Sequence, residues 1–198
     1  MGEILMSKFE AILSRILFVR IALMILISLN FASVQAAQST YSENEILIAV
    51  ENLFGATTKG LASIVERTFE DLGKPNGYII GDEVSGAFVL GLRYGKGELN
   101  QKGNIKQPIF WQGPSVGYDF GGNASKSFTL IYNMSSPEDL YRRFPSIDGS
   151  LYFVAGASVN YQTDGVLTIA PIRTGVGLRA GAGLGYLHYT PVSSWLPL

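Results

Sequence analysis

The sequence predicts an α+β, mostly β fold: a small antiparallel β-barrel preceded by two amphipathic helices, with one short helix inserted among the strands. Three observations carry this reading. Apolar residues recur at helical spacing between residues 42 and 73. From Tyr78 onward the apolar period changes to two. Glycines then crowd onto one parity of the later strands and leave one face of each nearly bare.

The first 36 residues read as an export signal. Lys8, Arg15 and Arg20 form a positive region, Ile21 to Leu29 a continuous apolar run, and Val34-Gln35-Ala36 a small-residue cleavage site. The apolar run is shorter than the ~20 residues a membrane span needs. An uncleaved amphipathic anchor is the alternative. In both cases the functional part lies outside the cytoplasmic membrane. Cleavage after Ala36 leaves 12 Lys and Arg against 14 Asp and Glu.

The helical segment, 42–73, opens on Ser42-Glu43-Asn44-Glu45, a capping box in which Ser42 and Glu45 satisfy each other's free backbone N–H groups. Ile46, Leu47, Val50, Leu53 and Phe54 follow on one face, and Gly55 stops the helix. Thr57 or Thr58 caps the second helix. Leu61, Ile64, Val65, Phe69 and Leu72 form its apolar stripe, and Gly73 with Pro75 ends it.

The barrel domain is expected over 77–195. The run from Tyr78 to Asn100 gives one or two strands, with Phe88, Leu90, Leu92 and Tyr94 on one face. Residues 109–133 read as a hairpin turning near Gly121-Gly122-Asn123. Ser136, Pro137, Glu138 and Asp139 start the short helix. The remaining strands turn near Asp148-Gly149 and Asp164-Gly165. So many strands with so few helices to cover them favour a closed or nearly closed barrel.

The bare face is clearest in Thr174–Tyr189. Gly175, Gly177, Gly181, Gly183 and Gly185 take odd positions, and Val176, Leu178, Ala180, Ala182, Leu184 and Tyr186 take even ones. Gly91, Gly95, Gly113 and Gly117 repeat the pattern. Glycine within a strand costs ~0.5–1 kcal/mol relative to alanine, so the pattern answers a geometric need. One such need is tight coiling of strands with a helix packed close. Another is a groove for a ligand. The expected core face of the last strand is the even one. Candidate groove residues are Arg93, Tyr118, Asp119, Arg179, Gly181 and Gly183. Asp119 is expected to pair with Arg93, Arg173 or Arg179, and a structural ion pair is favoured over an active site.

Composition excludes several chemistries. There is no cysteine, hence no disulfide, thiolate zinc site, iron–sulfur cluster or lipidated cysteine. A formal charge of -1 argues against a nucleic-acid partner. His188 is the single histidine, and it reads as a packed, hydrogen-bonded residue. Gly175-Val176-Gly177 resembles a dinucleotide fingerprint loosely, but the alternation continues where a helix should begin. No nucleophile elbow or phosphate loop is present. Asp82 and Glu83 are adjacent and so face opposite sides of a strand. No catalytic residue, metal site or cofactor is expected.

Five segments carry a family resemblance: PNGYIIGDEVSGAFVLGLRYGKGEL, WQGPSVGYDFGG, LIYN before LYRRF, APIRTGVGLRAGAGLGYLHYTP, and the terminal Trp195. Together they resemble the envelope integrity protein A (EipA) family across the mature chain, although SSWLPL departs from the family's usual aromatic ending. The resemblance implies an exported periplasmic protein of Gram-negative bacteria, a small barrel with helices, and a non-enzymatic role in envelope integrity. A lipid or other envelope component is the expected partner. The barrel is also similar, at the level of fold, to the SYLF lipid-binding domain. A periplasmic interaction scaffold, an envelope hydrolase and an integral outer-membrane barrel are the rival readings. The two amphipathic helices and the glycine density speak against the last.

Overall fold

The computed structural model describes residues 39–56, 58–103, 106–119, 125–174 and 185–194, with the backbone alone at 85–90, 115–119 and 148–149. The chain divides into two compact units, Met1–Ala37 and Gln38–Leu198. The first lies outside the described residues. The second holds the helices, the barrel and both hydrophobic cores.

Helix α1 (Glu43–Phe54) begins as expected: the Ser42 N–H donates to Glu45 Oε2 at 2.8 Å, and the Glu45 N–H donates to Ser42 Oγ at 3.4 Å. Gly55 ends it at φ 84°, in the left-handed region. Helix α2 (Lys59–Leu72) is capped by Thr58, whose Oγ1 accepts from the Leu61 N–H. Ile46 and Val50 of α1 and Leu61, Ile64 and Val65 of α2 are buried. Their stripes meet Phe128, Leu130, Val159, Tyr161 and Ile172 on the outer surface of the sheet. Each fully buried large apolar side chain contributes roughly 1.5–3 kcal/mol.

The described strands are β1 (Gly77–Gln101), β2 (Gln107–Asp119), β3 (Ser125–Tyr132), β4 (Arg143–Val154), β5 (Ala157–Thr163), β6 (Thr168–Thr174) and β7 (Tyr186–Thr190). They close in the order β1-β2-β7-β4-β5-β6-β3. A 3-10 turn, Pro137–Leu140, is inserted between β3 and β4, and Ser136 and Asp139 close a capping box on it. The mostly β, helix-preceded barrel is thus as the sequence predicts.

Two expected hairpins differ. β2 and β3 do not pair. β1 lies between them, pairing with β3 through Gly77–Glu83 and with β2 through Ala87–Leu99. One strand of 25 residues is long enough to offer separate stretches to two neighbours. It bends so sharply that a Cβ on Gly81 would overlap the Lys96 carbonyl, and one on Gly97 would overlap the Ile80 carbonyl. This is the tight coiling that the strand glycines suggested. The expected turn at Asp148-Gly149 also falls inside a strand. There β4 has a register irregularity against β5, between Ser146 and Leu151. Ser150 Oγ donates to the Ile147 carbonyl (2.7 Å) and accepts from the Tyr161 N–H (3.1 Å), which holds the irregular stretch together. The chain reverses instead at Ala155–Gly156. The Asp164-Gly165 turn is present, and Asp164 Oδ1 accepts from the Val166 and Leu167 N–H groups.

The inward faces divide the barrel interior in two. Ile79, Leu99, Ile109, Ile131, Phe144, Ile169 and Leu187 fill one part with apolar side chains. Toward the other end the same faces carry Glu83, Arg93, Ser127, Asn160 and Arg173, all buried.

Candidate functional site

Glu83 is the centre of the polar part. It sits two residues after Gly81 in β1, on the inward parity, and is 1% exposed. Asp82, its neighbour, is exposed, as strand alternation requires. Arg173 comes from the end of β6 and grips the carboxylate with two donors. Its Nε lies 2.9 Å from Oε1 and its Nη2 3.2 Å from Oε2. Arg93, ten residues further along β1, brings its Nε to 3.3 Å of Oε1. Trp111 of β2 donates from Nε1 to Oε2 at 2.9 Å.

Register explains the Trp111 geometry. Trp111 pairs directly with Gly95. The indole lies across that glycine so closely that a Cβ there would fall within the ring. With no side chain on Gly95, the ring lies flat against the sheet and its N–H reaches Glu83. Tyr189 and Phe144 complete the packing, with ring centroids at 6.0 Å from Trp111 to Tyr189 and from Tyr189 to Phe144.

The electrostatics follow from this enclosure. Burial alone drives the Glu83 carboxyl upward. The charges of Arg173 and Arg93, with the hydrogen bonds from Arg173 and Trp111, more than offset it and hold the group at about 2. Glu83 is therefore ionised at any ordinary pH. The arrangement is a charge-assisted tie between three strands, β1, β2 and β6, that close different parts of the barrel wall.

The predicted groove residues are not brought together as one described site. Arg93 is in the cluster. Tyr118 and Asp119 end β2, with backbone paired to Phe88 and Ala87, and their side chains lie outside the described residues. Arg179, Gly181 and Gly183 also lie outside them. Among the described residues the carboxylate that meets Arg93 and Arg173 is Glu83, and the expected pairing of Asp119 rests on a side chain outside the described residues. The available signal was parity, since Glu83 shares its strand face with Gly81, Arg93 and Gly95.

The expected core face of the last strand is corrected as well. In β7 the odd residues Leu187 and Tyr189 fill the interior, while Tyr186 and His188 are only half-buried. The described strand glycines face the barrel's own interior. The helices pack on the opposite face of β3 and β6 and on β5. His188 stands opposite Gln112 on one side and Arg143 on the other. Its Nδ1 has no hydrogen-bond partner, contrary to the satisfied histidine expected. Burial and the nearby Arg143 charge push the imidazole below its usual range.

Among the described residues no cluster of three or more His, Asp or Glu side chains is placed to hold a metal ion. Among the same residues no helix is long and apolar enough to cross a membrane.

Among solved structures, a beta-barrel-like, uncharacterized protein from Brucella abortus is 43% identical to this chain. The match has a TM-score of 0.74 and covers 80% of this chain and 99% of that one. No protein with a curated description matches. The family model for envelope integrity protein A matches residues 39–198, and the chain belongs to that family.

Proposed function

We propose that this chain is a non-enzymatic, exported protein that supports the integrity of the bacterial cell envelope from the periplasm, acting by contact with a lipid or another envelope component. Family membership supports the envelope assignment. The observation that carries the non-enzymatic reading is the state of Glu83. A general acid or base needs a pKa near the working pH and access to substrate. Glu83 is held at about 2, sealed from solvent and occupied by hydrogen bonds from Trp111 and Arg173 and by the Arg93 charge of its own barrel. Its chemistry is that of a strut.

The helices support a barrel outside the bilayer. Two amphipathic helices cover the outer face of β3, β5 and β6, where an integral outer-membrane barrel presents side chains to lipid. The leader-like segment, Lys8 to Ala36, supports export.

Deletion of the gene, followed by complementation, tests the function. The deletion strain is expected to lose viability in detergent and under chelation of divalent cations, and a Glu83→Gln copy that accumulates normally is expected to restore it. Wild-type resistance in the deletion strain would refute the envelope role. Loss of rescue with the folded Glu83→Gln protein would refute the non-enzymatic reading. Cell fractionation tests the compartment: release with the periplasm is expected, and retention after carbonate extraction overturns it.

A further inference from the structure

We infer that one end of the barrel is a contact surface for an anionic lipid bilayer. The inference rests on the envelope-contact reading above and names the component and the site. Nine large apolar side chains are exposed among the described residues, and six of them are Val84, Leu92, Ile147, Leu151, Phe153 and Val154. The antiparallel registers place five of them toward one end, while Ile147 follows Ser146, which pairs with Gln162 near the β5–β6 turn. β1 passes this end in its middle, since Glu83 pairs with Ser125 at the start of β3 and Ala87 with Asp119 at the end of β2. β4 runs toward the same end, because Pro145 pairs with Tyr186 at the start of β7. The β4–β5 turn, Ala155–Gly156, lies beyond it, and β6 returns there at Arg173, opposite Ser158.

The residues are spread around the rim. Val84 and Leu92 are 44% and 43% exposed on β1, and Phe153, at 64%, stands next to the β4–β5 turn. Projections from separate strands suit a planar lipid surface met end-on, which needs no matching relief. The turn is firmly supported. Helix α2 packs so tightly against it that a Cβ on Gly60 would collide with the Val154 and Ala155 carbonyls. A rigid tip that presents Phe and Val inserts without an ordering penalty of its own.

Charge selects the lipid. Lys59 opens α2 beside this turn and is exposed. Exposed Lys126 lies at the same end, in register with Asp82, two residues before Val84, with its Nζ donating to the Leu53 carbonyl at 2.6 Å. Arg67 lies 4.8 Å over the ring of Tyr152, the neighbour of Phe153. Apolar tips with cations at their margin form the pattern of interfacial binding to anionic headgroups. Asp82 offsets one lysine and Asp71 is paired to Arg67, so the tips carry the affinity and the cations set the preference.

Vesicle flotation tests the inference with residues 38–198, which contain both cores and so fold as their own unit. The vesicles are phosphatidylethanolamine with phosphatidylglycerol, against phosphatidylcholine alone. The protein is expected to float with the anionic vesicles. Phe153→Ser with Val154→Ser is expected to lower binding by about tenfold or more. The matched control, Ile48→Ser with Val166→Ser, removes exposed apolar residues elsewhere and is expected to bind as the native protein does, with melting curves confirming that all variants are folded. Three results overturn the inference: no flotation of the native protein, equal loss in the control, or a concentration-dependent dimer that the Phe153 and Val154 changes abolish, which assigns the rim to a second copy. Complementation keeps the two readings apart. A protein that rescues the deletion strain without binding vesicles removes the bilayer surface and leaves the envelope role. A deletion strain without a phenotype removes the envelope role whatever the vesicles show.

Discussion

Trp111 lies flat across Gly95, its register partner on the neighbouring strand, and this contact aims the indole N–H at Glu83. A methyl group at Gly95 would occupy the ring's own space, so Gly95→Ala must displace Trp111 or bend the sheet. Overpacking of this kind costs about 1–3 kcal/mol, and the lost hydrogen bond to a charged group adds about 1.5–3 kcal/mol. Urea unfolding is expected to show an unfolding free energy lowered by that sum, read as a lower midpoint, and indole fluorescence is expected to shift to the red in the folded variant. A native midpoint would show that Trp111 has room the structure does not give it.

Glu83→Gln keeps the shape of the side chain and an oxygen for Trp111, but it removes the buried negative charge that Arg173 and Arg93 face. Removing one member of a buried ion pair destabilises by about 3–5 kcal/mol. The native carboxyl has its pKa lowered from 4.5 to about 2. Its ionised form is therefore favoured in the folded chain, and its contribution to stability is complete above about pH 4.5. That contribution fades as the pH falls toward 2. Melting temperatures taken from pH 6 to pH 2.5 are expected to drop steeply for the native protein and less steeply for the variant. Parallel curves would show that Glu83 does not couple folding to acid.

Much of this architecture is legible in the sequence because its signals are local. Ser42 with Glu45, Thr58 before Lys59, and Gly55 fix the helices through groups a few residues apart. Period two after Tyr78 marks the strands. Pairing is not local. Nothing near Gly121 tells that β2 leaves β3 to β1, because that choice depends on how a 25-residue strand bends over itself at Gly81 and Gly97. Face assignment fails for a related reason. Alternation defines two faces, and barrel closure decides which turns inward. The bulky even residues of the last strand look like a core, yet Leu187 and Tyr189 fill it. Arg93 is legible because it stands among glycines. Glu83 is legible only through its parity with Gly81 and Arg93, since its sequence neighbour Asp82 is an equal candidate until one face is known to turn inward.

His188 predicts a second, milder acid dependence. Its pKa lies below the usual 6.5 because burial and Arg143 both disfavour the imidazolium. The neutral form is favoured in the folded chain, so this contribution is present above pH 6.5 and is lost as the pH falls through the lowered value. His188→Gln is expected to remove a shallow loss of stability that sets in as the pH falls below 6.5 and to leave the steeper loss below pH 4.5 in place. Proton resonances of the single imidazole, followed through a titration, give the pKa directly. A midpoint above 6.5 would refute the assignment.

The β4–β5 turn supplies the last prediction. Ala155 has φ 46° and Gly156 φ 85°, so both residues of the reversal between Val154 and Ala157 are left-handed. Glycine adopts this conformation freely, whereas alanine is strained there by about 1–2 kcal/mol. Asparagine is better tolerated, and Asn-Gly is the favoured pair for a two-residue reversal with φ positive at both positions. Ala155→Asn is therefore expected to stabilise the barrel by about 0.5–1 kcal/mol, read as a higher urea midpoint with an unchanged slope. Ala155→Val adds β-branching at the same φ and is expected to move the midpoint the other way. A destabilised Ala155→Asn protein would mean that the Ala155 methyl, which lies against α2 near Gly60, contributes more through packing than the strained φ takes away.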